Sequence, residues 1–177
     1  LKFHDTFGPY AFIIYSIVVS LRDLGMTMAP HNAFQTLLGL ETLSLRMKKH
    51  VSNSIKIANW LEKHPKIEKV TYAGLKSSQY FNTAKSILPK GAGALFTISL
   101  KDGYEACIKM ISKLNLFSHV SNLGDTRSLI IHPASTVHRQ LTEEQQKNAG
   151  LAPNVIRLSI GIEDPKDLIN DLRNALE

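Results

Sequence analysis

The sequence predicts an α/β fold, a two-layer sandwich of sheet and helices preceded by one long linking helix. Three observations lead there. From about residue 65 to the C-terminus, strand-like and helix-like segments alternate, as in a layered domain. Before them, Leu43, Met47, Val51, Ile55, Ala58 and Leu61 recur at spacings of three or four, the apolar stripe of a long amphipathic helix. Near the end, Asn154 to Asp164 reads as an apolar strand interrupted by Arg157, which passes through Gly161 into an acidic helix start.

Residues 1 to 29 predict a loop, then a short helix near Tyr10 to Leu24 broken at Gly25. The apolar run Ala11 to Val19 is shorter than a membrane-spanning helix needs, and Asp5 stands where a signal peptide carries basic residues, so a buried helix is expected. Pro30 suits the first turn of the long helix, because its missing N–H breaks no bond there. That helix is expected to bend near Gly39, with Lys48, Lys49, Lys56 and Lys63 off its apolar stripe.

Beyond His64-Pro65, alternation predicts strands at Ile67 to Tyr72, Ala94 to Leu100, Leu116 to Val120, Ser128 to Ile131 and Val155 to Ile160. Tyr104 to Lys113 reads as a helix capped by Asp102. Thr142-Glu143-Glu144-Gln145 has the spacing of a capping box and should open a short helix. Pro165 leads into a final helix with Leu168, Ile169, Leu172, Ala175 and Leu176 on one face. The sequence opens at Leu1 without an initiator methionine, directly in what reads as mid-domain pattern, and the expectation is a fragment.

Composition narrows the partners. At 177 residues and 44% apolar content the chain can bury a full core. Its formal charge of +6 is spread along the chain without a basic run, which argues against nucleic acid and fits small anions. The single cysteine, Cys107, lies in a helical pattern as a small buried thiol, and one thiol cannot staple a chain, so a reducing interior compartment is favoured.

Arg157 is the residue to explain. Val155, Arg157 and Ser159 share one face of the strand, and Ile156, Leu158 and Ile160 the core face. A buried guanidinium needs an anion opposite it, either an internal carboxylate or a bound ligand, and spacing alone leaves both open. The loop Ser121 to Leu129 has Gly124 free to turn left-handed, and Asp125 and Arg127 can pair within it. If that loop faces Arg157, its backbone donors could share an acid ligand. His132-Pro133-Ala134-Ser135-Thr136-Val137-His138 has no zinc-ligand spacing and is expected to end a strand and turn the chain. No phosphate-binding Gly-Lys-Ser/Thr loop and no G-x-S-x-G turn occurs. From its residues alone, the chain reads as an anion-binding α/β domain with no assignable reaction.

Several segments in order resemble the C-terminal portion of the pyridoxal-phosphate-dependent enzymes of cysteine and methionine metabolism, with the O-acetylhomoserine sulfhydrylase branch most similar. They are Thr6 to Phe12, Leu21 to Thr27, Gly39 to Arg46, Gly124-Asp125-Thr126-Arg127-Ser128-Leu129, His132 to Thr136, and Val155 to Asp164. The resemblance covers nearly the whole chain, and the Gly-Asp-Thr-Arg-Ser string favours the sulfhydrylases over related cystathionine γ-synthases and methionine γ-lyases. It implies a fold-type I transferase whose C-terminal domain pairs a mainly antiparallel sheet with helices. Residues 1–35 would be the tail of the cofactor-binding large domain and 36–177 the substrate domain.

The resemblance also implies a γ-replacement with pyridoxal 5'-phosphate as electron sink: acetate leaves O-acetylhomoserine, and sulfide or methanethiol takes its place, giving homocysteine or methionine. Arg157 would hold the α-carboxylate of the amino-acid substrate. Ser121 and Asn122 would line the same site, Asn122 standing where some relatives have serine. Neither nucleic acid nor membrane is an expected partner; a cytoplasmic homotetramer is. The family's Schiff-base lysine lies in a Ser-x-Thr-Lys context absent here, since Asn82-Thr83-Ala84-Lys85 falls in an unrelated helical pattern. No catalytic residue is therefore expected in this chain, which alone should be inactive; a free-standing interaction domain is the alternative of another class.

Overall fold

A computed structural model describes residues 2–177, apart from the side chains of Glu143 and Lys147. By its contacts the chain divides into two units, Leu1–Leu43 and Ser44–Glu177.

In the first unit helix begins earlier than the expected loop allows. α1 (Lys2–Phe7), a 3-10 turn (Gly8–Tyr10), α2 (Ala11–Tyr15), a π-helical turn (Ser16–Leu21) and α3 (Arg22–Leu24) follow without a gap. Pro9 is accommodated because it sits at the start of the 3-10 turn, where no N–H is required. The stretch ends at Gly25, which turns left-handed at φ 66°. The buried helix expected here is not found: among the described residues of Lys2–Leu24 none is buried, and Phe12 is 81% exposed. An apolar helix is buried only where another element covers it, and none in this unit does. By length and composition Lys2–Leu24, with 23 residues and a mean hydropathy of 1.3, could cross a membrane, longer than the apolar run alone suggests. α4 (Pro30–Glu41) follows, with Ala29 extended at ψ 144° as a residue before proline must be.

α5 (Leu43–Leu61) comes next, all but its first residue in the second unit. The single helix bent near Gly39 is instead two helices, separated where Thr42 leaves helical geometry at ψ 2°. The buried face also differs from the expected stripe. It is His50, Asn53, Ser54, Ile57, Ala58 and Leu61, whereas Leu43, Met47 and Ile55 are exposed. Polar residues can occupy this face because backbone carbonyls meet them. His50 Nδ1 lies 2.6 Å from the Ile160 carbonyl, and Asn53 Nδ2 donates to the carbonyls of Gly161 and Glu163.

Then come β1 (Ile67–Thr71), α6 (Phe81–Ile87), β2 (Leu95–Leu100), α7 (Gly103–Lys113), β3 (Leu129–Ile131), a 3-10 turn (Pro133–Ser135), α8 (Glu143–Asn148), β4 (Val155–Ser159) and α9 (Pro165–Leu176). The four strands are ordered β1-β2-β4-β3, every neighbouring pair antiparallel. Register puts Phe96, Ile98, Ile130, Ile156 and Leu158 on one face, where they join Ile57, Leu61, Met110, Leu168 and Leu172 from the helices in one core. The opposite face carries Thr97, Ile131 and Arg157 side by side.

Local signals explain the element ends. Thr142 and Gln145 close the expected capping box, Thr142 N–H donating to Gln145 Oε1 at 2.9 Å and Gln145 N–H to Thr142 Oγ1 at 3.3 Å. Asp164 caps α9 by accepting from Lys166 N–H. Asp102 holds the cap position of α7 but its side chain accepts no cap bond, a correction to the expected role. Leu116 to Val120 is not a strand; only Ser118 bridges to Leu129. At its start the buried Asp171 carboxylate takes the N–H groups of Asn115 and Leu116, which are then not free for a ladder.

Cys107 is fully buried, and burial pushes its thiol up from 9.0 to about 11. It should therefore resist alkylation in the folded protein near neutral pH and react once the chain is unfolded. Stoichiometric labelling under native conditions would contradict its place in the core.

Candidate functional site

Arg157 sits at the centre of β4, paired with Thr97 on one side and Ile131 on the other. Its strand is otherwise buried; the arginine is half-buried. Burial lowers its pKa from the ordinary guanidinium value, yet a guanidinium keeps its proton. Of the two partners left open by spacing, no internal carboxylate pairs with Arg157 among the described residues. Nη2 donates to Ser121 Oγ at 3.1 Å, and this neutral, solvent-facing contact is the one side-chain partner of Arg157 among the described residues. The ion pairs described are His4 with Asp5, Arg22 with Asp23 and Arg127 with Asp125. Most of the guanidinium fork is thus left for a planar anion.

The 121–129 loop reaches Arg157 through the side chain of Ser121. Asn122 does not: its Oδ1 accepts from the N–H of Leu123 at 2.8 Å and turns toward its own loop. Gly124 is left-handed at φ 71°. Asp125 accepts from Arg127 at its backbone N–H, Nε and Nη2, as the sequence suggests, and these bonds hold its carboxyl below the usual range.

Sequence reasoning missed the end of this loop. Glu163 Oε1 accepts from Ser128 N–H at 2.6 Å and Oε2 from Ser128 Oγ at 2.9 Å, while Ser128 Oγ accepts from Gly161 N–H at 2.9 Å. Ile162 N–H donates to the Thr126 carbonyl at 2.9 Å. A side chain on Gly161 would collide with Glu163, Thr126 and Arg127. The one legible signal was a glycine at the strand exit followed two residues later by a carboxylate.

His132 is structural. The buried ring accepts Ser135 N–H at Nδ1 and meets the Pro153 carbonyl through Nε2 at 2.7 Å, so its proton lies on Nε2. It lines a cavity of about 630 Å³ with Tyr104, Ser135, Gln146 and Leu151, apart from Arg157. No metal-holding group of side chains occurs among the described residues. Every lysine with a described side chain is exposed, and Lys85 lies in α6.

The profile of the family described as Cys/Met metabolism PLP-dependent enzyme matches residues 11–177. An O-acetyl-L-homoserine sulfhydrylase 1 of Thermus thermophilus is 45% identical over 99% of this chain and 42% of its own length. An O-acetyl-L-homoserine sulfhydrylase of Leptospira meyeri is 46% identical over 100% of this chain and 42% of its own. In three dimensions, a Campylobacter jejuni O-acetylhomoserine (thiol)-lyase crystallised with N'-pyridoxyl-lysine-5'-monophosphate aligns at a TM-score of 0.86 and 45% identity, over 97% of this chain and 41% of that one. The chain thus spans about two-fifths of the length of these relatives. The alignment with the Leptospira meyeri relative takes in the apolar stretch Lys2–Leu24. From a profile match across most of its length and relatives above 40% identity, the chain belongs to the Cys/Met metabolism PLP-dependent enzyme family.

Proposed function

We propose that this chain is the substrate-binding part of an O-acetylhomoserine sulfhydrylase, with residues 1–35 the tail of the cofactor domain and 36–177 the substrate domain. The whole enzyme would exchange the acetate of O-acetylhomoserine for sulfide or methanethiol, in methionine and cysteine metabolism. Its setting would be the cytoplasm, as a homotetramer, with neither nucleic acid nor membrane as partner. The observation that carries this reading is Arg157, a half-buried guanidinium held by one serine hydroxyl and open to a planar acid.

Pyridoxal 5'-phosphate, when bound to the whole enzyme, supplies the electron sink that loosens the bond to acetate. On this reading the lysine that anchors it belongs to the large cofactor domain and not to this chain. What its residues can do is bind and orient. Two parallel N–H groups of Arg157 would take the two oxygens of the α-carboxylate, and Ser121 Oγ would fix the plane of the fork. Asn122 would contribute through its backbone, its side chain being committed to Leu123.

The full-length protein carrying this sequence, assayed with O-acetylhomoserine and sulfide and separately with methionine or cystathionine, should form homocysteine as its dominant activity. Preferential breakdown of methionine or cystathionine would favour a γ-lyase instead, and preferential use of cysteine over sulfide, giving cystathionine and acetate, a γ-synthase. The 177-residue chain alone, mixed with pyridoxal phosphate, should give no stable lysine-dependent visible band.

A further inference from the structure

We propose that Glu163 is a positioning residue for substrate capture, which clasps Ser128 and so holds the 121–128 loop where Ser121 can orient Arg157; this rests on the reading of Arg157 given above. Glu163 lies six residues beyond Arg157, just past the strand exit, and is half-buried. Both its carboxylate oxygens are engaged by Ser128, one by the N–H and one by the hydroxyl. The same hydroxyl accepts from Gly161 N–H, closing a ring of bonds between the strand exit and the loop end. From the other side the fully buried Asn53 donates to the carbonyls of Gly161 and Glu163. The exit turn is therefore fixed by α5, and Glu163 transfers that fixed position to the loop.

The loop needs such an anchor. Ser121, Asn122, Leu123 and Gly124 are all exposed, the Asp125–Arg127 pair ties the loop only to itself, and besides the Glu163–Ser128–Gly161 ring the loop is tied to the strand exit by the Ile162 N–H bond to the Thr126 carbonyl. Ser121 is the one side chain that holds Arg157 among the described residues. A shift of the loop end thus becomes a shift of the guanidinium's partner, and misplacement by about 1 Å is enough to impair productive binding.

The chemistry calls for a carboxylate. Ser128 presents two donors, and Glu163 has two acceptors for them. A glutamine keeps one acceptor and brings an NH₂ group to a hydroxyl that is already accepting from Gly161. The serine proton is then left without a partner. An aspartate keeps the charge but is one methylene shorter.

The test uses the full-length enzyme that carries this sequence. Glu163→Gln should raise KM for O-acetylhomoserine about tenfold, with kcat and KM for sulfide within roughly twofold and the visible cofactor spectrum unchanged. Ser128→Ala should give the same pattern, and Glu163→Asp an intermediate one. In a Ser121→Ala background the effect of Glu163→Gln should largely vanish, because both changes act through one contact. A purely structural role would instead lower the thermal midpoint or kcat with KM unmoved, or would add in full to Ser121→Ala, and either result overturns the proposal. An unchanged KM in Arg157→Lys would remove the reading of Arg157 and the proposal together. A raised KM there, with an unchanged one in Glu163→Gln, would remove the proposal alone.

Discussion

Replacing Arg157 by lysine in the full-length enzyme is expected to raise KM for O-acetylhomoserine by about 100-fold and to leave cofactor content untouched. The argument is geometric. A guanidinium presents two parallel N–H groups to a carboxylate, whereas an ammonium is a point charge on a flexible stem. Loss of one charge-assisted bond and of the fixed plane is worth about 2–3 kcal/mol. The contact with Ser121 would also be lost or redirected, since Nη2 is the atom that makes it. Burial adds a pH signature: it already lowers the pKa of Arg157, without threatening its charge. A lysine there would be pushed the same way from a lower starting point, so its charged form would be lost as pH rises. Capture by the variant should accordingly weaken with increasing pH across a range where the parent enzyme is flat. The methyl ester of the substrate, which has no α-carboxylate, should be used equally poorly by both. If the variant kept the parent KM, or if the ester separated parent from variant as strongly as the acid does, the carboxylate role would be wrong.

What the sequence made legible follows from which interactions are local. Strand alternation placed β1, β2, β3 and β4 within a residue or two, and the capping box at Thr142 and the proline at Pro165 marked two helix starts. Each of these signals is written within a few neighbouring residues. Two of the failures share a cause, that a partner distant in sequence decides the outcome. Leu116 to Val120 alternates like a strand, but Asp171, more than fifty residues on, takes its first backbone donor. The face of α5 was misread because His50 and Asn53 look like solvent-facing residues until the carbonyls of Ile160, Gly161 and Glu163 arrive. Arg157 stood out because a guanidinium in an apolar strand is conspicuous. Glu163 did not, since a carboxylate ahead of a helix is ordinary at a surface; its value lies in Ser128, which is 35 residues away.

The remaining large effect is expected at Gly161. Gly161→Ala should destabilise the second unit by about 3 kcal/mol, at the upper end for overpacking a well-packed position. A Cβ there meets the Thr126 carbonyl and the Arg127 backbone as well as the Glu163 carboxylate. A flexible side chain could turn aside, but two of these three obstacles are backbone, and the loop can make room only by moving away from β4. That motion breaks the bonds from Gly161 N–H to Ser128 Oγ and from Ile162 N–H to Thr126. Hydrogen exchange should report it directly, with the amides of positions 161, 162 and 128 exchanging about 100-fold faster while β1 and the middle of β2 change little. Because the same motion carries Ser121 away from Arg157, KM for O-acetylhomoserine should rise in parallel, whereas a core truncation such as Leu172→Ala should lower stability without that rise. Gly161→Ala with native exchange rates at those three amides would mean that the loop and the strand exit are not locked together, and the close approach at Gly161 would then have no bearing on the binding of the substrate.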